Sequence, residues 1–150
     1  MRILVLSGPN LGSLGRRQPE VYGTTTLPEI HEQLAAAAGP MGIELRCEQS
    51  NHEGVLIDLL EEETGRSAAC VLNPGGLAHT SVVLADAVRG FAGPVVEVHL
   101  SNILGREVYR RSSHVAAAAA AVIMGAGASG YLLALRAAAG LAGAPPSETT

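Results

Sequence analysis

The chain has 150 residues, 47% of them hydrophobic but with a single Phe and no Trp, and a formal net charge of -4. This composition describes one domain with an aliphatic, alanine-rich core, large enough to fold without disulfides or metal, and the acidic balance argues against a nucleic-acid partner. All ten basic residues other than histidine are arginine, which excludes Schiff-base catalysis by a lysine amine and the phosphate-gripping lysine of a P-loop.

In chain order, Ile3-Leu4-Val5-Leu6 reads as a strand buried on both faces. It is stopped by Ser7-Gly8-Pro9-Asn10, turn formers just past its carboxyl end. Residues 12–23 follow as a glycine-punctuated loop that carries Arg16, Arg17 and Tyr22 without an apolar period, the pattern of a lid rather than a connector. Residues 26–38 predict a helix: Thr26 caps it, Pro28 suits its first turn, and Leu27, Ile30, Leu34 and Ala37 share a face. Gly39-Pro40 ends it. A short strand is expected over 43–48, then an amphipathic helix over 53–63 with Val55, Leu56, Leu59 and Leu60 inward. Residues 68–72 form a third buried strand that turns at Asn73-Pro74-Gly75-Gly76. A helix over 80–88, a fourth strand over 94–100 and a helical turn over 106–110 come next. The alanine run 116–121 is open between helix and strand, alanine being the best helix former and a poor strand former. Its continuation Val122-Ile123-Met124, closed by Gly125, predicts a fifth buried strand. Residues 129–141 predict the last helix, and the polar tail 143–150 is expected to fray.

Strands alternating with helices imply right-handed crossovers and an α/β fold: a flavodoxin-like, doubly wound, five-stranded parallel sheet with helices on both faces. The whole of 1–150 reads as a single catalytic domain, with no repeat or linker dividing it. Cys47 and Cys70 lie in apolar runs without metal-ligand spacing and are expected to be reduced core residues of a cytoplasmic protein. Met1-Arg2 leads straight into the first strand, so no amino-terminal signal is expected. No apolar run approaches the roughly 20 residues of a membrane span, so no membrane partner is expected.

In this architecture ligands bind at the carboxyl edge of the sheet. Asn10, Asn73 and His99 each fall at or just after the carboxyl end of a different strand, with His79 a few residues on, so they converge on one crevice facing the arginine-tyrosine lid. Glu97 and His99 are two apart on the fourth strand and point to one face. A carboxylate beside an imidazole orients the ring and favours its protonated form, suiting it to donate a proton. His31 falls on the polar side of its helix and is expected to be solvated.

The stretches GPNLGSLGRRQPEVYG, QSNHEG, LNPGGLAHTS and EVHLSN followed by REVYRRS, with the late GYLLAL, resemble the successive motifs of type II 3-dehydroquinate dehydratase, in order and spacing, up to about Leu141. The resemblance implies anti elimination of water from 3-dehydroquinate through an enolate, giving 3-dehydroshikimate in the shikimate or quinate pathway without metal or organic cofactor. It implies Tyr22 as the base, and since an isolated phenol ionises only near pH ~10, a nearby cation must help. The resemblance supplies Arg17 for this, with Arg106 assisting. His99 becomes the acid for the departing hydroxyl, oriented by Glu97. Asn10, through a held water, stabilises the enolate oxygen. Asn73 and the backbone amides of Leu100 and Ser101 hold the substrate carboxylate, while His79 and Arg110 bind ring hydroxyls. Asp86 matches a position that reaches a neighbouring subunit's site in a homo-dodecamer, a tetramer of trimers.

Gly12, Gln18, Ala78 and Leu104-Gly105 depart from the family's commoner residues, but none removes a proposed acid, base or ligand. Two alternatives stand beside this reading. A flavodoxin-like signalling or flavin-binding module would need a strand-end acid with a late lysine, or stacking aromatics, which the chain lacks. Another cofactor-free lyase or isomerase acting on a small hydroxylated carboxylate would share the arginine clamp.

Overall fold

The computed structural model describes residues 1–143. The strands are β1 (Arg2–Ser7), β2 (Glu44–Gln49), β3 (Ala69–Asn73), β4 (Val95–His99) and β5 (Ala121–Met124). They form one sheet in the order β2-β1-β3-β4-β5, and every pairing is parallel. The helices are α1 (Pro19–Tyr22), α2 (Leu27–Ala38), α3 (Glu53–Glu63), α4 (Val82–Gly90), α5 (His114–Ala118) and α6 (Ser129–Gly143). The doubly wound expectation is borne out. The expected tail lies, from residue 144 on, outside the described residues.

Because side chains alternate along a strand, β1 feeds two cores. Ile3 and Val5 meet Ile30 and Leu34 of α2 and Leu135 of α6 on one face. Leu4 and Leu6 meet Leu56 and Leu60 of α3 and Leu84 of α4 on the other. Thr26 caps α2 by accepting from the Glu29 N–H, and Ser81 caps α4 by accepting from the Leu84 N–H. Among the described residues no helix is long and apolar enough to cross a membrane.

Five local expectations are corrected. The alanine run divides: its front half completes α5, capped by Ser113, and its end opens β5. That strand pairs only with β4, at the edge of the sheet. It is therefore half-buried rather than buried, with Val122 exposed. The lid is not all loop, since Pro19 nucleates the four-residue α1. His31 is half-buried with its Nε2 enclosed and unpartnered, and desolvation lowers its pKa. Cys70 is buried but Cys47 only half-buried, and both thiols are free.

The fifth correction concerns α3. Val55 points to solvent and Leu59 is only half-buried, whereas Glu63 is 0% exposed. Leu56, Leu60 and Glu63 form the inward stripe at steps of four and three residues. Glu63 is tolerated there because its charge is paired on every side. Its carboxylate accepts from Arg2 Nη2 at 3.1 Å, from Arg46 Nη1 at 2.6 Å and from Ser67 Oγ at 2.6 Å. This network ties α3 to the first residue of β1 and to β2. Burial alone would raise the Glu63 carboxyl, but the Ser67 hydroxyl and the two guanidiniums hold it below the ordinary value of 4.5.

A folded-state pKa held below the unfolded one stabilises the protein above the unfolded pKa and ceases to do so as pH falls through the folded one. Glu63→Ala is therefore expected to cost about 3 kcal/mol at neutral pH, near the lower end for breaking a buried pair because both arginines retain contact with water. Urea melts should show this deficit shrinking below pH 4.5. A deficit of the same size at pH 3 and pH 7 would overturn the assignment.

Candidate active site

The carboxyl ends of β1 and β3 lie side by side, with Ser7 and Asn73 in register. The Gly8 N–H donates to the Asn73 carbonyl at 2.8 Å, and the two following turns pack backbone on backbone. A Cβ at Gly8 would stand 2.8 Å from the Pro74 oxygen, and one at Gly75, whose φ is +57°, 2.9 Å from the Pro9 oxygen. Only glycine satisfies both positions. Asn10 then adopts the left-handed conformation, with φ of 70°. Its N–H donates to Asn51 Oδ1 at 3.0 Å, while Gln49 Nε2 donates to the Gly8 carbonyl and to Asn51 Oδ1, each at 3.2 Å. The segment after β2 thus fixes the turn after β1. Gln49 and Asn51 belong to the QSNHEG stretch, for which the sequence offered no individual role.

Above these turns opens a cleft of about 670 Å³, counted out to its mouth, a size suited to a small metabolite. Asn10, Arg17, Tyr22, Asn73, His79, His99, Leu100, Ser101, Arg106 and Arg110 all line it. Two expected residues do not. Glu97 lies fully buried next to His99, and Asp86 sits on the outer surface of α4, paired with Arg89 at 3.4 Å. Asp86 instead borders a shallow groove between α3 and α4, lined by Ile57, Val83 and Ala87.

On one wall, His99 Nε2 donates to Glu97 Oε1 at 2.6 Å, which turns the other ring nitrogen, Nδ1, to further use. The same Glu97 oxygen accepts from Ser113 Oγ at 2.8 Å, whereas its Oε2 is buried without a partner. Ser113 also caps α5 by accepting from the Ala116 N–H at 3.0 Å, so one hydroxyl joins the helix start to the buried carboxylate. Sequence reading missed Ser113. Its cap position before the alanine run was the available signal. His79 anchors Nδ1 on the Ser112 carbonyl at 2.8 Å, and its ring stacks on His99 with centroids 6.4 Å apart.

The opposing wall is the lid. Gln18, with φ of 42°, enters α1, and Gly23 closes it, leaving Tyr22 half-buried. Arg106 Nη1 donates to the Tyr22 oxygen at 2.9 Å and reaches Ser101 Oγ at 3.4 Å. The guanidinium carbons of Arg17 and Arg106 lie 5.6 and 5.2 Å from the Tyr22 ring centroid, within range of a cation–π attraction. A phenol oxygen bound by a fixed positive charge, in a cleft that also holds an imidazole on a buried carboxylate, can remove one proton and deliver another. Cationic side chains around it suit an anionic substrate. Among the described residues no three His, Cys, Asp or Glu side chains converge as a metal site would require.

The model of the family described as dehydroquinase class II matches residues 1–139. A 3-dehydroquinate dehydratase of Pelotomaculum thermopropionicum is 53% identical over 143 residues, covering 95% of this chain and 99% of the relative. A protein of Aspergillus flavus named catabolic 3-dehydroquinase 2 is 49% identical over 134 residues, covering 89% of each chain. The crystal structure of a type II dehydroquinase from Propionibacterium acnes superposes with a TM-score of 0.88 at 38% identity, covering 92% of this chain and 95% of that one.

Ser113→Ala removes both a helix cap and a bond to a buried carboxylate. Its expected cost is about 2 kcal/mol, roughly twice that of a cap alone. Ser81→Ala, which removes only the cap of α4, serves as the control in parallel urea melts. Equal losses in the two variants would mean that the Glu97 bond contributes nothing.

Proposed function

The chain belongs to the class II dehydroquinase family, and we infer that it is a hydro-lyase that dehydrates 3-dehydroquinate to 3-dehydroshikimate, a step shared by the shikimate and quinate pathways. The observation that carries the mechanism is the Arg106 guanidinium 2.9 Å from the Tyr22 oxygen, in the cleft that His99 also lines. In this reading the ionised Tyr22 oxygen takes a proton from the carbon beside the substrate ketone, and the electron pair moves onto the ketone oxygen to form an enolate. Arg106 and Arg17 stabilise the base. Asn10, through a held water, stabilises the enolate oxygen as its charge develops.

The enolate then collapses, the carbon–carbon double bond forms, and the hydroxyl departs from the opposite face with a proton from His99. Water is the only other product. Glu97 is a positioning residue that holds the imidazole through Nε2, supported by its zero exposure and its bond to His99. Asn73 and the amides of Leu100 and Ser101 receive the substrate carboxylate, and His79 and Arg110 the ring hydroxyls. The reading of 1–150 as one catalytic domain is supported by the five-stranded sheet of the described residues, which carries this cleft at its carboxyl edge. The alternative, another cofactor-free lyase or isomerase, is not favoured by the family match.

We further propose that the protein is cytoplasmic and that twelve copies assemble as a tetramer of trimers, with Asp86 completing a neighbour's site. Support comes from α4, where Val82 and Val83 are exposed beside Asp86. Such residues are more readily kept on a face that another subunit covers.

Added 3-dehydroquinate should give the ultraviolet band of a conjugated enone. Tyr22→Phe is expected to lower turnover by about 10²–10⁴-fold, the usual contribution of a general base, while substrate binding measured by calorimetry persists. Near-normal turnover in that variant would move the base elsewhere. Sedimentation velocity should give twelve times the 15.3 kDa chain mass. In the assembled protein, Asp86→Ala should reduce turnover although its own chain's cleft lies elsewhere. Full activity in that variant would remove Asp86 from the site.

A further inference from the structure

Glu97 and His99 are buried together at the end of β4, the first 0% and the second 6% exposed. Their mutual bond, Nε2 donating to Oε1 at 2.6 Å, ties each side chain to the other but neither to the rest of the fold. Glu97 Oε2 is enclosed without a partner. Among the described residues, the one further hydrogen bond to either side chain comes from Ser113 Oγ, which donates to Oε1 at 2.8 Å. Its direction is fixed, because Ser113 Oγ already accepts from the Ala116 N–H at 3.0 Å and its single hydrogen faces a carboxylate that can only accept. Oε1 then receives two hydrogens, one from the hydroxyl and one from the ring, and has no room for a proton of its own. The backbone around Ser113 is held on both sides. His79 Nδ1 donates to the Ser112 carbonyl at 2.8 Å, and Val115 is fully buried in the core with Leu84 and Val88.

We propose that Ser113 is a positioning residue for proton delivery: its hydroxyl fixes Glu97, and through Glu97 the His99 ring, with Nε2 committed and Nδ1 left as the nitrogen that transfers a proton. The inference rests on the reading of His99 as the acid for the departing hydroxyl. An anchor held only by the group it orients orients nothing. Without the Ser113 bond, Glu97 and His99 can shift as a unit while the bond between them stays intact. Ser113 stops that motion, because its own backbone is fastened to His79 and to the core. The proton delivered is then the one on Nδ1, while the Nε2 hydrogen stays bonded to Glu97 throughout. Ser113 does not itself line the cleft, so its influence falls on the proton transfer and not on the binding of substrate.

The test uses the full-length protein, with kcat and KM for 3-dehydroquinate read separately and folding followed by thermal melts. Ser113→Gly separates the two roles of the hydroxyl, because glycine is nearly as good a helix cap as serine but cannot donate to Glu97. It is expected to lower kcat about tenfold, short of the roughly hundredfold that a misplacement of about 1 Å can cost, with KM changed far less. Ser113→Thr restores a hydroxyl on an extended backbone that suits a β-branched residue, and should recover most of the loss. His99→Ala should be slower than either, and Ser113→Gly added to it should slow it no further, because the ring to be positioned is gone. Multiplying effects would assign Ser113 to general stability and overturn the proposal. So would an unchanged kcat in Ser113→Gly, or a threonine variant as slow as the glycine one. A normal kcat in His99→Ala defeats the reading of the acid and the proposal with it, whereas a low one beside a normal Ser113→Gly defeats the proposal alone. Should Ser113→Gly fail to fold, Ser113→Asp bears the test, since aspartate caps a helix as serine does and its carboxylate cannot donate to Glu97. An unchanged kcat there overturns the proposal.

Discussion

The close pairing of β1 with β3 is the constraint on which the cleft depends. Their register brings Ser7 against Asn73, and the chain beyond each strand must then leave the sheet within van der Waals contact of the other. A side chain at Gly8 or Gly75 would collide with backbone oxygen, so the glycines set how near the two turns approach. That nearness places Asn10 and Asn73 in one floor. The bonds from Gln49 and Asn51 reach the same turn from β2, so three neighbouring strands hold a single rigid surface. Preorganisation of this kind is a main source of rate in an active site, since polar groups already aimed at the reacting atoms need no reorganisation.

Charge is divided between the two ends of the sheet. At the amino-terminal edge, Glu63 gathers Arg2 and Arg46, while Arg46 also reaches Glu48 and Glu62. Guanidinium forks can serve several carboxylates at once there, and the result is structural. At the carboxyl edge, Arg17 lines the cleft beside Arg106 and Arg110, and both of these lean on Glu107. Glu97 is the exception: its charge is buried under the cleft, supported by His99 and Ser113 on one oxygen and by nothing on the other. A carboxylate that accepts from an imidazole and a hydroxyl on the same oxygen fixes the orientation of that ring.

The alternation of strands and helices, and the polar residues at strand ends, were legible because period and turn chemistry are local. The inward stripe of α3 was not. Hydrophobicity favours Val55 over Glu63, and only the tertiary placement of Arg2 and Arg46 reverses that preference. Strand β5 was placed correctly but read as buried, since an apolar run is alike in a central and an edge strand. Ser113 and Tyr131 escaped for a related reason. Each looks ordinary in sequence, a cap serine and an apolar helix residue, and acquires a polar partner from a strand more than ten residues away.

The lid shows how local and tertiary choices meet. Its first anchor is apolar: Leu11 and Leu14 are buried in the core. Its second is polar, the Tyr22 hydroxyl on Arg106. Between them Arg16, Arg17, Gln18 and Glu20 remain exposed, and Gln18 takes a left-handed conformation that a residue with a Cβ enters at some cost. The Gln18 carbonyl offsets part of that cost by accepting from the Val21 and Tyr22 N–H groups. If Tyr22 is the base, the anchor is the reacting group itself, and the guanidinium that keeps the lid down is the one that stabilises the phenolate. Lifting the lid then parts Tyr22 from Arg106, while Arg17, on the lid itself, travels with it.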